Sequence, residues 1–294
     1  MPRMSAKPTV AVIGLGAMGH AFAANLLKNG FTTQVWNRTR SRADDLHGAQ
    51  VGDSPKQAAA KAEIVMTMVT DAETTEKVIF GDDGVLAGLK SGGVLVQMGT
   101  IGVAQTDALI KRVAEARDDV AFIDAPVSGT KTPAEQAKIL VLASGGDEAT
   151  RTRVQPVFDA IAKGTKWLGE AGRGARMKLV VNAWLITLMQ AVAETTRLAE
   201  TVGFSGDDFW DALEGGPLAA PYVRAKLDKI TGDDFEAQMA LQWGLKDARL
   251  ALQAAGDTAM PALRTVAEQW SDAVDAGLGE KDIAAVYQYL KAKG

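Results

Sequence analysis

The feature that most constrains this chain is Gly14-Leu15-Gly16-Ala17-Met18-Gly19, set between the apolar run Val10 to Ile13 and a stretch of helical periodicity that begins at Met18. Strand, glycine motif and helix in that order give each glycine a physical task. The first permits a tight turn, the second lets the backbone approach a pyrophosphate, and the third lets strand and helix pack closely. Free N–H groups in the first helical turn then receive the phosphates. A glycine-rich turn with no ligand needs no such order, so Gly14, Gly16, Ala17, Met18 and Gly19 are assigned to binding a dinucleotide cofactor.

The pattern around the motif extends this reading. Short apolar runs at Thr9–Ile13, Thr33–Trp36, Ile64–Val69, Val94–Gln97, Ala121–Ile123, Ile139–Ala143 and Lys166–Leu168 read as strands. Between them, Met18–Lys28, Pro55–Lys61, Val103–Ala116 and Glu148–Ala162 carry apolar residues at three- and four-residue spacing and read as helices. Strands joined by helices build a parallel, doubly wound sheet. After Gly172 the strand-like runs stop and helical patterns continue through Ala292. The expectation is an α/β Rossmann-type domain over residues 1–170, followed by an all-helical domain over 171–294 that holds the substrate site and the oligomer contacts. The first helix of that second part, from about Ala175 to Val202, is apolar nearly all round between Leu179 and Met189, which predicts a buried helix. Asn182 and Thr187 interrupt the run, which argues against a membrane span.

Composition narrows the chemistry. With no cysteine, thiolate metal sites and a cysteine nucleophile are excluded. A formal net charge of -4 offers no basic field to a nucleic acid or an anionic membrane. Met1 to Pro8 lack the apolar core of a signal peptide, so the expected location is the cytoplasm, and the expected partner is a small molecule rather than a nucleic acid or a membrane.

The end of the second strand bears on the choice of nicotinamide nucleotide, because an acidic residue there would hold the ribose hydroxyls of NAD. This chain has Asn37, Arg38 and Thr39 instead, a cation and neutral hydrogen-bonding groups suited to a 2′-phosphate. NADP is the predicted cofactor, with NAD possible but less favoured. Val69, closing the strand Ile64–Val69, joins the same cofactor-binding set.

Hydride transfer to a carbonyl leaves an alkoxide that needs a positioned acid. The histidines, His20 just after the glycine motif and His47 in the expected helix after the second strand, read as structural or solvated. Tyr222 and Lys226 match the Tyr-x-x-x-Lys pair of short-chain dehydrogenases but stand far into the helical half. Lys178 and Asn182 are four residues apart at the start of the most apolar helix, hence on one face. A lysine at an apolar edge near a positively charged nicotinamide is expected to have its pKa lowered, although a lysine at a helix start is more often a snorkelling surface residue. A third segment, Asp124-Ala125-Pro126-Val127-Ser128-Gly129-Thr130, follows a strand and makes a turn whose N–H groups and hydroxyl suit a carboxylate, or a plain loop held by its own serine.

Together, Gly14 to Gly19, Asp124 to Gly129, the run Gly174 to Asn182, and Lys246-Asp247 resemble the β-hydroxyacid dehydrogenase family over nearly the whole chain. That family includes 3-hydroxyisobutyrate dehydrogenases and glyoxylate and succinic semialdehyde reductases. The resemblance implies Lys178 as general acid or base with Asn182 as its helper, Ser128 and Gly129 with Thr130 beside the substrate carboxylate, and Thr100 and Lys246 lining the nicotinamide site. It also implies a homodimer or homotetramer. Two positions depart from the family pattern: Thr130 replaces a second glycine, and Gly99 replaces a serine before Thr100. Lys131 to Glu135 looks more like the semialdehyde and glyoxylate reductase branch. The competing expectations are an imine reductase, which typically lacks the lysine at position 178, and a non-catalytic NADPH sensor.

Overall fold

The computed structural model describes residues 7–293. It divides into two compact units, Met1–Lys178 and Leu179–Gly294.

The first unit runs β1 (Val10–Ile13), α1 (Ala17–Lys28), β2 (Thr33–Trp36), β3 (Gln50–Val51), α2 (Pro55–Ala60), β4 (Ile64–Thr67), α3 (Ala72–Phe80), α4 (Val85–Gly88), β5 (Val94–Gln97) and α5 (Val103–Ala116). It continues with β6 (Ala121–Asp124), β7 (Val127–Ser128), α6 (Lys131–Glu135), β8 (Ile139–Gly145), α7 (Glu148–Ile161), β9 (Ala162–Trp167) and the first residues of α8 (Arg173–Thr201). The sheet order is β3-β2-β1-β4-β5-β6-β8-β7, with β9 beside β8. The six strands from β3 to β6 are parallel. The chain winds outward in both directions from the β1/β4 pair, the switch point at which such sheets place ligands.

Side-chain alternation builds two cores, one on each face of the sheet. Val10, Val12, Ile64, Met66, Val94 and Val96 pack with Phe22 and Leu26 of α1 and Phe158 of α7. On the other face, Ala11, Ile13, Val65 and Leu95 meet Ala58 of α2, Ile79 of α3 and Leu109 of α5. Every strand residue of β1 and β4 is buried, which is why these segments read as continuous apolar runs.

Several local expectations change. Val127 and Ser128, expected within a turn, form a two-residue strand antiparallel to β8. His47 lies in a turn, because only Arg40–Ala43 is helical there, as a single 3-10 segment. The last strand begins at Ala162 rather than Lys166 and pairs with β8 in parallel.

The second unit is helical, comprising the remainder of α8, α9 (Gly206–Leu213), α10 (Pro221–Thr231), α11 (Leu241–Ala255), α12 (Pro261–Ala273) and α13 (Val286–Lys293). Trp270 is fully buried at its centre and donates its indole N–H to Oε1 of Gln190 at 2.8 Å. Gly244 admits that indole, since a Cβ there would stand 2.6 Å from the ring. Asp282 is a second anchor: it accepts from Lys226 Nζ at 2.6 Å and from the backbone N–H groups of Gln238, Met239 and Ala284.

The helix α8 is not buried all round, contrary to the expectation from its apolar sequence. Leu179, Ile186 and Met189 are buried, whereas Val180 and Trp184 are 65% and 67% exposed. The chain packs one stripe of the segment between Leu179 and Met189 and leaves Val180 and Trp184 uncovered. By length and composition α8 could also cross a membrane, but it carries Asn182, Gln190 and Thr196 buried as polar groups on its packed stripe.

Candidate active site

The glycine loop stands at the carboxyl end of β1. Gly14 has φ +98°, and a Cβ on it would meet the Met68 carbonyl oxygen at 2.4 Å. Gly19 is equally demanding, since its Cβ would fall 1.9 Å from the Gly14 oxygen. Gly16 differs, with no atom within 4 Å of where its Cβ would be and φ -66°. The fold explains the first and third glycines but not the second.

Gly16 is also the N-cap of α1, and it supplies no side-chain cap; the first turn holds no acidic residue. An uncapped helix start beside open space is what an anionic group requires. These residues therefore fit a dinucleotide pyrophosphate, with exposed Gly16 and Ala17 on the approach, half-buried Met18 against the core and Gly19 beneath.

Asn37, after β2, accepts the Leu15 N–H at 2.9 Å and donates to the Thr39 carbonyl at 2.9 Å. It ties the glycine loop to the loop after β2. Arg38 and Thr39 are exposed beyond it. Nearby Arg40 is engaged with Asp53 at 2.8 Å. Val69 and Thr100 follow β4 and β5, both partly buried, and the Val69 oxygen would lie 2.6 Å from a Cβ at Gly99. A side chain at position 99 would therefore be crowded by the Val69 carbonyl.

Ser128 closes β7, and Gly129 follows with φ +140°, where a Cβ would meet Ile139 at 2.6 Å. Thr130 is the N-cap residue of the short α6, with no side-chain cap bond. The residues proposed from sequence in this unit, from Gly14 to Thr130, thus follow the carboxyl ends of successive strands β1, β2, β4, β5 and β6, the edge where open α/β sheets bind ligands.

Lys178 is the sixth residue of α8 and half-buried. The head of that helix is bound to the sheet. Ala175 N–H donates to Asp124 Oδ2 at 2.7 Å, and Gly174 N–H to Ser144 Oγ at 2.9 Å. Arg176 grips Asp107 of α5 with two nitrogens, at 2.9 and 2.8 Å. Burial pushes the Asp124 carboxyl up to about 6, opposed by its bonds to Ala175 and Ser144 and by the charge of Arg176.

One turn beyond Lys178, Asn182 belongs to the second unit and is buried there. Its Nδ2 donates to Asp247 Oδ2 at 2.6 Å, and its Oδ1 is buried without a hydrogen bond from the described residues. Lys246 stands 3.2 Å from the other Asp247 oxygen as an ion pair. Lys226 is committed to Asp282, and the Tyr222 hydroxyl is buried with burial driving its pKa up. That pair is therefore packing, not a short-chain dehydrogenase site.

Sequence reasoning named Asp124 and Asp247 only as parts of motifs and passed over Ser144. The signal for Asp124 was an acid closing an otherwise apolar strand, a costly placement unless its partners are fixed.

Known proteins resemble this chain over nearly its whole length. Residues 9–169 match the model of the NAD-binding domain of 6-phosphogluconate dehydrogenase, and residues 172–290 the NAD-binding model of NADP-dependent 3-hydroxyisobutyrate dehydrogenase. Glyoxylate/succinic semialdehyde reductase 1 of Arabidopsis thaliana is 36% identical over 96% of this chain and 98% of its own length. The chain belongs to the β-hydroxyacid dehydrogenase family. It is an oxidoreductase of that family, with a domain for a nicotinamide dinucleotide.

A 3-hydroxyisobutyrate dehydrogenase structure from Salmonella typhimurium superposes with a TM-score of 0.86 at 26% identity, covering 96% of this chain and 99% of that one. An imine reductase from Pseudomonas sp. shares 25% identity over 97% of this chain and all of its own, with a TM-score of 0.63. β-Hydroxyacid dehydrogenases and imine reductases thus share an architecture, and the residue at position 178 separates them in the expectation drawn from sequence.

Proposed function

We propose that this protein is an NADP-dependent reductase of a small aldehyde or keto acid, run reversibly against the corresponding hydroxyacid, with glyoxylate, succinic semialdehyde or 3-hydroxyisobutyrate as the candidate substrates. The observation that carries the reading is Lys178, half-buried on a helix whose head is bonded to the carboxyl edge of the nucleotide-binding sheet. The semialdehyde and glyoxylate branch is favoured by the 36% identity to the Arabidopsis thaliana reductase.

When bound, the nicotinamide would supply or accept the hydride. The glycine loop and the start of α1 would hold the pyrophosphate, and exposed Arg38 and Thr39 would face the 2′-phosphate. The hydroxyl of Ser128 and the backbone at Gly129, with Thr130 at its edge, would receive the substrate carboxylate. Lys178 would give a proton to the oxygen of the reduced carbonyl, or remove it in the reverse direction. The buried Oδ1 of Asn182, one turn along α8, would orient the ammonium or the substrate hydroxyl. An oligomer that covers the apolar stripe of α8, and a cytoplasmic location, complete the proposal.

The test follows absorbance at 340 nm with NADPH or NADH against glyoxylate, succinic semialdehyde and a cyclic imine, and with NADP or NAD against 3-hydroxyisobutyrate. Turnover of an aldehyde acid with preference for the phosphorylated cofactor supports the proposal. Faster reduction of the imine would move the assignment to an imine reductase, and NADPH binding without turnover would favour a sensor.

A further inference from the structure

The mechanism proposed above uses Lys178 but leaves unexplained how one lysine on a 29-residue helix is held at a fixed height above the sheet. A helix start leaves its first N–H groups without intrahelical partners. In α8 those groups are met from outside the helix. Ala175 N–H reaches Asp124 Oδ2 at 2.7 Å, and Gly174 N–H reaches Ser144 Oγ at 2.9 Å. Ser144 Oγ lies 3.2 Å from the same carboxylate oxygen, so the two caps are joined. Asp124 and Ser144 face each other across the antiparallel pairing of β6 and β8, which makes the cap part of the sheet itself.

Three further observations point the same way. Gly174 is the only residue type that fits, because a Cβ would stand 2.3 Å from the Leu142 carbonyl and 3.0 Å from both oxygens of Asp124 that face it. The head of the helix therefore lies directly against β6 and β8. Asp124 is fully buried, a costly placement for a carboxyl group that only fixed partners offset. The outer side of the same turn is clamped by the paired contact between Arg176 and Asp107. Lys178 follows Gly174 by four residues and Ala175 by three, so its turn inherits the position of the capped one.

We infer that Asp124 is a positioning residue for Lys178: together with Ser144 it caps the head of α8 from the sheet and thereby fixes where the catalytic turn stands. The inference rests on Lys178 as the proton-transfer group. A cap of this kind requires an oxygen acceptor at position 124, not a charge. Asparagine, which keeps an acceptor oxygen, therefore satisfies it, and alanine does not.

The test compares Asp124→Ala, Asp124→Asn, Ser144→Ala and Lys178→Ala in the full chain, by steady-state kinetics with the fastest substrate of the wild type and by amide hydrogen exchange over residues 173–180. The expected result for Asp124→Ala is a fall in kcat of about tenfold or more, as misplacement of a reacting group produces. The KM for NADPH stays near the wild-type value and exchange quickens at the head of α8. Asp124→Asn restores kcat to within about threefold and restores protection, because the acceptor is retained. If Asp124→Ala fails to fold, Ser144→Ala carries the same test, with a smaller fall in kcat and faster exchange at Gly174.

Wild-type kcat in a folded Asp124→Ala protein would overturn the inference. So would an Asp124→Asn protein that keeps its protection but is as slow as the alanine variant, since the carboxyl would then act chemically. Failure of the underlying reading is distinct. It shows as undiminished turnover in Lys178→Ala, whatever the exchange pattern of the Asp124 variants.

Discussion

Nδ2 of Asn182 donates to Oδ2 of Asp247 at 2.6 Å, with both side chains buried. A carboxylate only accepts, so this contact decides which end of the amide points away from it, and the end left over is the oxygen. Asp247→Ala leaves the amide nitrogen buried without its acceptor. The expected cost is about 1–3 kcal/mol of stability, visible as a lowered melting temperature, with kcat falling and KM for NADPH little changed. Asp247→Asn can hold the amide in either orientation and should fall between the two. An Asp247→Ala protein with unaltered kcat would detach this pair from catalysis.

The three glycines of the loop should separate under substitution. Gly16→Ala meets no atom within 4 Å and needs no unusual φ, so folding is expected to be little affected. Its methyl group would instead occupy the approach to the helix start and weaken NADPH binding by roughly tenfold or more, in line with the loss of a charge-assisted contact. Gly19→Ala is expected to unfold or severely destabilise the protein, because its Cβ would lie 1.9 Å from the Gly14 oxygen. Thermal melting with and without NADPH distinguishes the two, and equal melting shifts for both variants would contradict the assignment.

Much of this was legible in the sequence because the physics was local. The loop Gly14 to Gly19 announces its turn, its close packing and its anion site within six residues, and buried parallel strands such as Ile64–Thr67 appear as apolar runs. What the sequence concealed was non-local. Val127-Ser128 is a strand only because β8 lies beside it, and two residues carry no period. Ser144 caps a helix 30 residues away, and Asp247 meets Asn182 from 65 residues away, so no spacing rule could pair them. The apolar circumference of α8 between Leu179 and Met189 misled in a different way, since an apolar sequence all round a helix does not say which stripe the chain packs.

That uncovered stripe leads to a prediction about assembly. Val180, Trp184 and Leu198 of α8 are each more than 60% exposed. Apolar side chains of this size at helical spacing are expected to be covered by a second copy of the chain. Light scattering should give a mass of about two or four times the 30.9 kDa protomer, and Trp184→Glu should shift it downward. A wild-type mass equal to one protomer would refute the oligomer.

Asp124 should give the protein a pH signature. Burial lifts its carboxyl from the ordinary 3.8 to about 6, with Arg176, itself paired to Asp107, as the neighbouring charge that opposes the lift. The folded chain then binds this proton more tightly than the unfolded chain. The stabilisation is complete below about pH 4 and is lost as pH rises through about 6, with a slope of at most about 1.4 kcal/mol per pH unit. Denaturant unfolding of the wild type and of Asp124→Asn across pH 4.5 to about 7 should differ by that slope. Parallel curves would mean that Asp124 does not titrate in this window.

Whether Lys178 moves the proton is read from single-turnover reduction by NADPH, comparing wild type with Lys178→Ala and Lys178→Arg. Both variants are expected to bind NADPH normally and to lose about two orders of magnitude or more in the rate of the chemical step, as removal of a general acid does. Arginine fails with alanine because it keeps the charge but does not release its proton. A Lys178→Ala rate within a fewfold of wild type would show that Lys178 is not the proton-transfer group.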